Sequence, residues 1–259
     1  MKHLRPASEA EVIAEFLRNE FHHRDFDSDR ERFAALVREA ELSDQAQNAI
    51  RRALFYRRRG HMWNQIPRGT LWSLVRLEPA DLDRLCVLAR THWKKIAAGN
   101  YLLRNVAEQI RARDFHGTRV IGGTAGGGIE ISDVGEHVDG MRAFGQDLSR
   151  RDDSAVVLIG VDDFQPVTIL EGNHRLTAAL LVSPQLLSTQ FRVYFGASPQ
   201  MAACCWYRTN LPNMVRYARN RLRYFGNPGA DLERVLPARC GGHSVSSPVR
   251  AGKAIPQTK

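Results

Sequence analysis

"QPVTILEGNHRLTAALL", residues 165–181, decides how this chain is read. Val167-Thr168-Ile169-Leu170 is apolar and partly β-branched, as in a buried strand. Glu171-Gly172-Asn173-His174-Arg175 interrupts that run, and the small and aliphatic residues that follow read as a helix to about Leu181. The pattern predicts a strand turning into a helix through a corner of very few residues. Glycine at such a corner lets the backbone turn tightly and lets a ligand approach closely. The first turn of the helix offers N–H groups without helical partners and the positive end of the helix dipole, a natural seat for phosphate. Arg175 can grip phosphate oxygens in a bidentate fork, and His174 can donate to phosphate or carry a proton. Glu171, at the carboxyl end of the strand, can act as general base or hold Mg²⁺. The same residues also read as a plain helix cap with a Glu171–Arg175 ion pair.

Working outward, residues 139–151 read as a helix with Met141, Phe144 and Leu148 spaced for a core. "AVVLIGV" (155–161) is a continuous apolar run, as in a strand buried on both faces. "FRVYFGA" (191–197) is a further strand, and "TRVIGG" with "TAGGGIEISD" reads as strand, glycine-rich turn and short strand. Upstream the chain reads as mostly helical, with helices over 29–41, 44–58, 79–98 and 101–113 and a loop-rich stretch over 60–77. Ser8 followed by Glu11 is a capping-box signature for a first helix. Residues 199–225 read as helix broken around Asn210–Asn213. The expected class is α+β in three parts. These are a helical region over 1–115 serving as substrate cover or accessory domain, a mixed-sheet domain with C-terminal helices over 116–236, and a disordered tail over 237–259.

"ILEGNHRLTAAL" resembles the signature of the ParB/sulfiredoxin superfamily, in which a strand ends in an acidic-Gly-x-His-Arg or Gly-Glu-Arg-Arg type corner before a helix. The order of elements around it also fits, over residues 118–198, about a third of the chain. The resemblance implies a small mixed-sheet domain that binds a nucleoside triphosphate at this corner. Gly172, His174 and Arg175 fall on its triphosphate-binding positions, and Asn173, at the variable position between them, counts with them as a candidate nucleotide contact. Glu171 falls where kinases of free serine carry an acidic residue near the reacting hydroxyl. Sulfiredoxin needs a cysteine where this chain has Asn173, which argues against sulfinic-acid reduction. No helix-turn-helix follows residue 181, which argues against chromosome partition. The implied activity is a phosphotransferase using ATP or another nucleoside triphosphate with Mg²⁺, Glu171 and His174 being catalytic. Its acceptor is a small hydroxylated metabolite such as a free amino acid. The alternatives are a ParB-like nucleic-acid-binding protein or nuclease, and a nucleotide-hydrolysing switch.

Three other clusters stand out. "IRRALFYRRRGHMWNQIP" (50–67) brings together Arg51, Arg52, Arg57, Arg58, Arg59 and His61 with Tyr56 and Trp63. Arg58, Arg59, His61, Trp63 and Asn64 are candidate substrate residues, with Gln65 beside them. A solvated helix end is the competing reading. The acidic set Glu130, Asp133, Glu136, His137 and Asp139 can hold Mg²⁺, but reads better as loop charge. Arg216, Arg219, Arg221 and Arg223, with Tyr217 and Tyr224, read as a basic helix packed by one apolar face.

Composition sets bounds on these readings. The chain has 259 residues, 43% hydrophobic and 25% charged, with 37 basic against 28 acidic residues and a net charge of +9. Such a balance suits anionic ligands or nucleic acid. Only Lys2, Lys94, Lys95, Lys253 and Lys259 are lysines, so the charge is mostly arginine. Cys86, Cys204, Cys205 and Cys240 lack C-x-x-C spacing, which gives zinc no support and suits buried thiols in a reducing compartment. No apolar leader segment and no run of about 18 apolar residues occurs, so a soluble, cytoplasmic protein without membrane contact is expected.

Overall fold

The computed structural model describes residues 1–123, 129–147 and 154–225. The chain begins as a strand, β1 (Lys2–Ala7), and turns into α1 (Glu9–Glu20). Ser8 caps α1 by accepting the Glu11 N–H at 3.1 Å, as its spacing predicts. The Glu11 carboxylate does not reach back to complete a capping box; it takes Arg5 and the Tyr194 hydroxyl instead. Helices α2 (Asp27–Arg38) and α3 (Gln45–Trp63) follow, α3 starting from the Asp44 carboxylate. Then come β2 (Leu71–Arg76), β3 (Leu85–Cys86), α4 (Thr91–Ala97) and α5 (Leu103–Ala112). The remainder is β4 (Arg119–Gly123), β5 (Ile129–Asp133), α6 (Val134–Asp147), β6 (Ser154–Gly160), β7 (Val167–Glu171), α7 (Asn173–Val182), α8 (Leu186–Thr189), β8 (Phe191–Ala197) and α9 (Leu211–Phe225).

Six strands form one mixed sheet in the order β1-β2-β8-β6-β7-β3, and β4 with β5 makes a separate ribbon. β6 runs parallel to β8 and antiparallel to β7, so the fold is α+β with a mixed sheet. β6 lies inside the sheet and is fully buried from Ala155 to Ile159, which explains its uninterrupted apolar run. Val156 and Leu158 face the core shared with α4, α5, α6 and α7. Ala155, Val157 and Ile159 face the opposite core, shared with α1, α3 and Trp206. The sheet is thus covered by helices on both faces. No helix among the described residues is long and apolar enough to cross a membrane.

Three expectations need correcting. The stretch 60–77, expected to be loop-rich, holds the end of α3 and the strand β2, which pairs with both β1 and β8. The division at 115/116 runs through this sheet, because β1, β2 and β3 come from the first part and β6, β7 and β8 from the second. The stretch 79–98 is not one helix. It is a 3₁₀ turn at Pro79–Asp83, then β3, then α4, since Leu85 and Cys86 pair in parallel with Val167 and Thr168. Leu148 and the tail over 226–259 lie outside the described residues.

The arginine-rich helix α3 is fastened from within. Arg51 is 1% exposed and donates to the Leu36 and Glu41 carbonyls at 3.2 and 2.7 Å, and to Asn48 Oδ1 at 2.7 Å. It therefore closes the C-terminal turn of α2, whose last carbonyls lack helical donors. Arg57 pairs with Asp29 on α2, and Arg58 and Arg59 both reach Glu20 on α1. Arg51→Met keeps much of the apolar stem and removes the donors. Removing the donors of the Leu36 and Glu41 carbonyls should cost about 1–3 kcal/mol, read as a lower urea midpoint at unchanged slope. A loss below about 1 kcal/mol would mean that water replaces the guanidinium.

Candidate functional site

The corner is built as its spacing predicts, and the reason for the glycine can be read in detail. Gly172 has φ +98, a left-handed conformation that side chains rarely adopt. A Cβ placed there would come 2.8 Å from Val156 Cγ2 on β6. The space behind Gly172 is thus filled by the sheet, so the glycine serves strand packing and not ligand approach. The first α-helical bond of α7 runs from the Leu176 N–H to the Gly172 carbonyl at 2.9 Å. The N–H groups of Asn173, His174 and Arg175 precede it and form the positive end of the helix.

Asn173 departs from its expected role. Its side chain is 8% exposed, donates to the Ile169 carbonyl at 3.0 Å and accepts the Leu88 N–H at 3.0 Å. The amide is held by backbone at both its oxygen and its nitrogen, which fixes the side chain in place beside the helix N-terminus. Glu171 and Arg175 pair at 2.7 Å across the corner. Burial pushes the Glu171 pKa up and the nearby Glu20 carboxylate adds to it, while Arg175 and Arg59 pull the other way without overcoming burial.

His174 belongs to a cluster of rings. Its Nε2 lies 2.8 Å from His137 Nε2 on α6, so one of the two carries the hydrogen and the other accepts it. It stacks on Trp93 at 5.1 Å, and His137 stacks on His92 at 4.1 Å. His92 in turn meets the Ser132 hydroxyl at 2.8 Å. The His174 ring keeps an edge open to solvent, yet its neighbours crowd it enough to hold its pKa down at about 4, with His92 and Arg175 adding to burial. Burial, with His174 and His92, takes His137 to about 3. Both rings are neutral at pH 7.

A cavity of about 800 Å³ opens onto this corner. α1 contributes Phe16, Asn19 and Glu20, and α3 contributes Arg59 and His61. Arg90, Trp93 and Trp206 form further wall. Three arginines, Arg59, Arg90 and Arg175, face two carboxyl groups, Glu20 and Glu171, so basic groups outnumber acidic ones in this lining. Burial, with Arg221, Arg59 and Arg90, lowers the His61 pKa to about 4. The structure thus brings Arg59 and His61 to the corner, as the substrate expectation requires.

It does not bring the rest. Arg58 holds Glu20 at 3.1 Å and lies over the Phe26 ring. Trp63 and Asn64 line a different, larger cavity of about 1290 Å³ beside β1 and β2. Trp63 is 2% exposed, stacks on Trp72 at 5.5 Å and donates to Glu9, so it is core more than wall. In that cavity Arg5 pairs with Glu11 and Arg52 with Glu9, whereas the smaller cavity joins a helix N-terminus to a buried carboxylate. The smaller one is the candidate site.

The acidic set resolves into structure. Asp133 caps α6 by accepting the N–H groups of Gly135 and Glu136, and Asp139 pairs with His116 and Arg142. The side chains of Glu130, Arg223 and Tyr224 lie outside the described residues. Among the described residues no group of three His, Cys, Asp or Glu side chains is arranged to hold a metal ion. Tyr217 is buried against Trp206 and Arg90, which fits α9 as a packed helix. Sequence reasoning passed over Glu20, Arg90, His92, Trp93 and Trp206. The signal available for three of them was the Arg90-Thr91-His92-Trp93 run.

No family model, no curated protein and no solved structure matches the chain.

The three depressed histidines predict a pH dependence. Each has a folded pKa below the ordinary value of 6.5, at about 4 for His61 and His174 and about 3 for His137. Below pH 6.5 the unfolded chain takes up protons that the folded chain refuses, so stability is full above that pH and falls as pH drops towards about 4. His137→Phe removes one such group. Urea unfolding at pH 7 and pH 5 should show a smaller loss for His137→Phe than for the unmodified chain. Equal losses would contradict the assigned neutrality of His137.

Proposed function

We propose that this protein is a phosphotransferase that moves a phosphoryl group from a nucleoside triphosphate, ATP being the first choice, to a small hydroxylated metabolite. One observation carries the reading. The α7 N-terminus, Arg175 and the carboxylate Glu171 open on one cavity together with Arg59 and Arg90. Its volume, about 800 Å³, suits a nucleotide-sized ligand. The resemblance of "ILEGNHRLTAAL" to the ParB/sulfiredoxin corner supports the choice of a triphosphate.

Phosphoryl transfer asks a protein mainly for positioning and charge neutralisation. The N–H groups of His174 and Arg175, with the Arg175 guanidinium, receive the phosphates. The His174 ring is neutral and donates or accepts without adding charge. Glu171 accepts the proton of the acceptor hydroxyl as the new O–P bond forms and the bond between the β- and γ-phosphates breaks, releasing the diphosphate. Burial raises the proton affinity of Glu171, which suits a base working near neutral pH. A resident Mg²⁺ does not fit these residues. Glu171 is held by Arg175, and Glu20 by Arg58 and Arg59. A metal arriving with the nucleotide would be held by its phosphates.

The nucleic-acid reading draws less support, because Arg51, Arg57, Arg58 and Arg59 are engaged with carbonyls and carboxylates of α1, α2 and the loop after α2.

Titration calorimetry with ATP, CTP and GTP, followed by diphosphate release with a panel of hydroxylated metabolites and with DNA, tests the reading. Arg175→Ala should weaken nucleotide binding by about 1–3 kcal/mol, the worth of a charge-assisted contact. Glu171→Gln should still bind nucleotide and lose transfer. Unchanged affinity in the first variant removes Arg175 from the phosphates, and full activity in the second removes the base.

A further inference from the structure

One guanidinium in the cavity has no carboxylate. Arg59 is held by Glu20 and Arg175 by Glu171, whereas Arg90 has no acidic partner among the described residues. Its charged carbon lies 3.7 Å from the centre of the Trp206 ring and 5.0 Å from that of Tyr217. The cation lies against the Trp206 ring, and a cation–π contact of this kind uses none of its N–H donors. The nearest polar contact along those edges is the Cys205 sulfur at 3.7 Å, a weak acceptor. Trp206, 8% exposed, has an indole N–H with no hydrogen-bond partner among the described residues. The half-buried Arg90 guanidinium thus has only a weak sulfur acceptor, and the buried indole N–H beside it has none.

The wall is also fixed relative to the corner. The Arg90 N–H donates to the Leu88 carbonyl at 2.7 Å, and the Leu88 N–H donates to Asn173 Oδ1 at 3.0 Å. Two hydrogen bonds therefore connect Arg90 to the first residue of α7. Arg59 and Arg221 stand near enough to His61 to disfavour its protonation, which marks the same end of the cavity as electropositive. This is a second anion seat, separate from the helix N-terminus and facing the same space.

We propose that Arg90, backed by Trp206 and Tyr217, binds the carboxylate of the acceptor, so that the metabolite is a small hydroxy acid and not a neutral polyol. The identity of the bound molecule as acceptor rests on the phosphotransferase reading; the anion seat does not. A carboxylate anchored at Arg90 places its hydroxyl towards Glu171 and the phosphates. Arg90 is then a specificity residue, and Asn173 positions it.

Calorimetric titration of the full chain with glycerate and with glycerol tests this, alongside ATP. The intact protein should prefer glycerate, and Arg90→Met should lose glycerate affinity by about tenfold or more, the worth of a charged hydrogen bond. Arg90→Lys should recover part of it, and ATP affinity should stay within about twofold in both variants. If Arg90→Met does not fold, Arg90→Lys alone decides, since its compact charge cannot reproduce the stacked fork: a weakened glycerate affinity supports the seat and an unchanged one overturns it. No preference for glycerate in the intact protein also overturns it, as does a loss of ATP affinity with glycerate affinity intact. Selective, Arg90-dependent glycerate binding without any ATP binding upholds the seat and removes the phosphotransferase reading instead.

Discussion

The site depends on a change of direction made by one residue. β7 ends at Glu171 and α7 begins at Asn173, leaving Gly172 alone to join them. Its φ of +98 costs other residues about 1–3 kcal/mol, and the side chain of Val156 fills the space a Cβ would need. Neither element can shift to relieve a larger residue. β7 is hydrogen-bonded between β6 and β3, and α7 is packed on α5 and α6. The fixed turn sets Glu171 on the cavity floor and aims the first N–H groups of α7 at the same space. Asn173 extends that order outward by holding Leu88, so the loop carrying Arg90 is referred to the same point.

The arginines divide by environment. Those on α3 face carbonyls and carboxylates of neighbouring elements and do internal work. Exposed pairs such as Arg52–Glu9 contribute about 0–1 kcal/mol. The more buried Arg58–Glu20 contact matters differently: breaking one side would leave a charge stranded. Arg59 stands between the two groups, since it fastens α3 to α1 and also lines the cavity. A net charge of +9 therefore overstates what the protein offers to a ligand. Among the arginines that line the smaller cavity, Arg175 must be won from Glu171 by an incoming anion, whereas Arg90 has no carboxylate partner among the described residues.

What was legible in the sequence was local. The Glu171–Arg175 corner, the Ser8 cap and the twice-buried β6 each follow from neighbours within a few residues. What was missed is set by partners far along the chain. "KHLRPA" is exposed, polar and contains proline, so nothing local marks it as β1; its pairing with β2 makes it a strand. Leu85-Cys86 is too short to announce a strand and is one because β7 lies beside it. The split into a helical half and a sheet half failed for the same reason. Asn173 was read as a ligand contact because helix N-termini attract anions, and only the position of Leu88, 85 residues away, shows its amide to be occupied. The cavity draws on α1, α3, the loop before α4, the corner and Trp206, a set with no common sequence signal.

Glu171 is where these constraints meet. Burial and the Glu20 carboxylate favour its proton, while Arg175 at 2.7 Å favours its charge. An anion arriving at the α7 N-terminus competes for that guanidinium, because charge-assisted bidentate bonds to phosphate are as strong as those to carboxylate. As Arg175 turns towards the anion, Glu171 loses the main attraction that favours its charged form, and its proton affinity rises further. On the proposed reading, donor binding therefore raises the basicity of the group that must take the acceptor proton. The four-residue spacing of Glu171 and Arg175 across a glycine corner allows one arginine to serve both partners in turn.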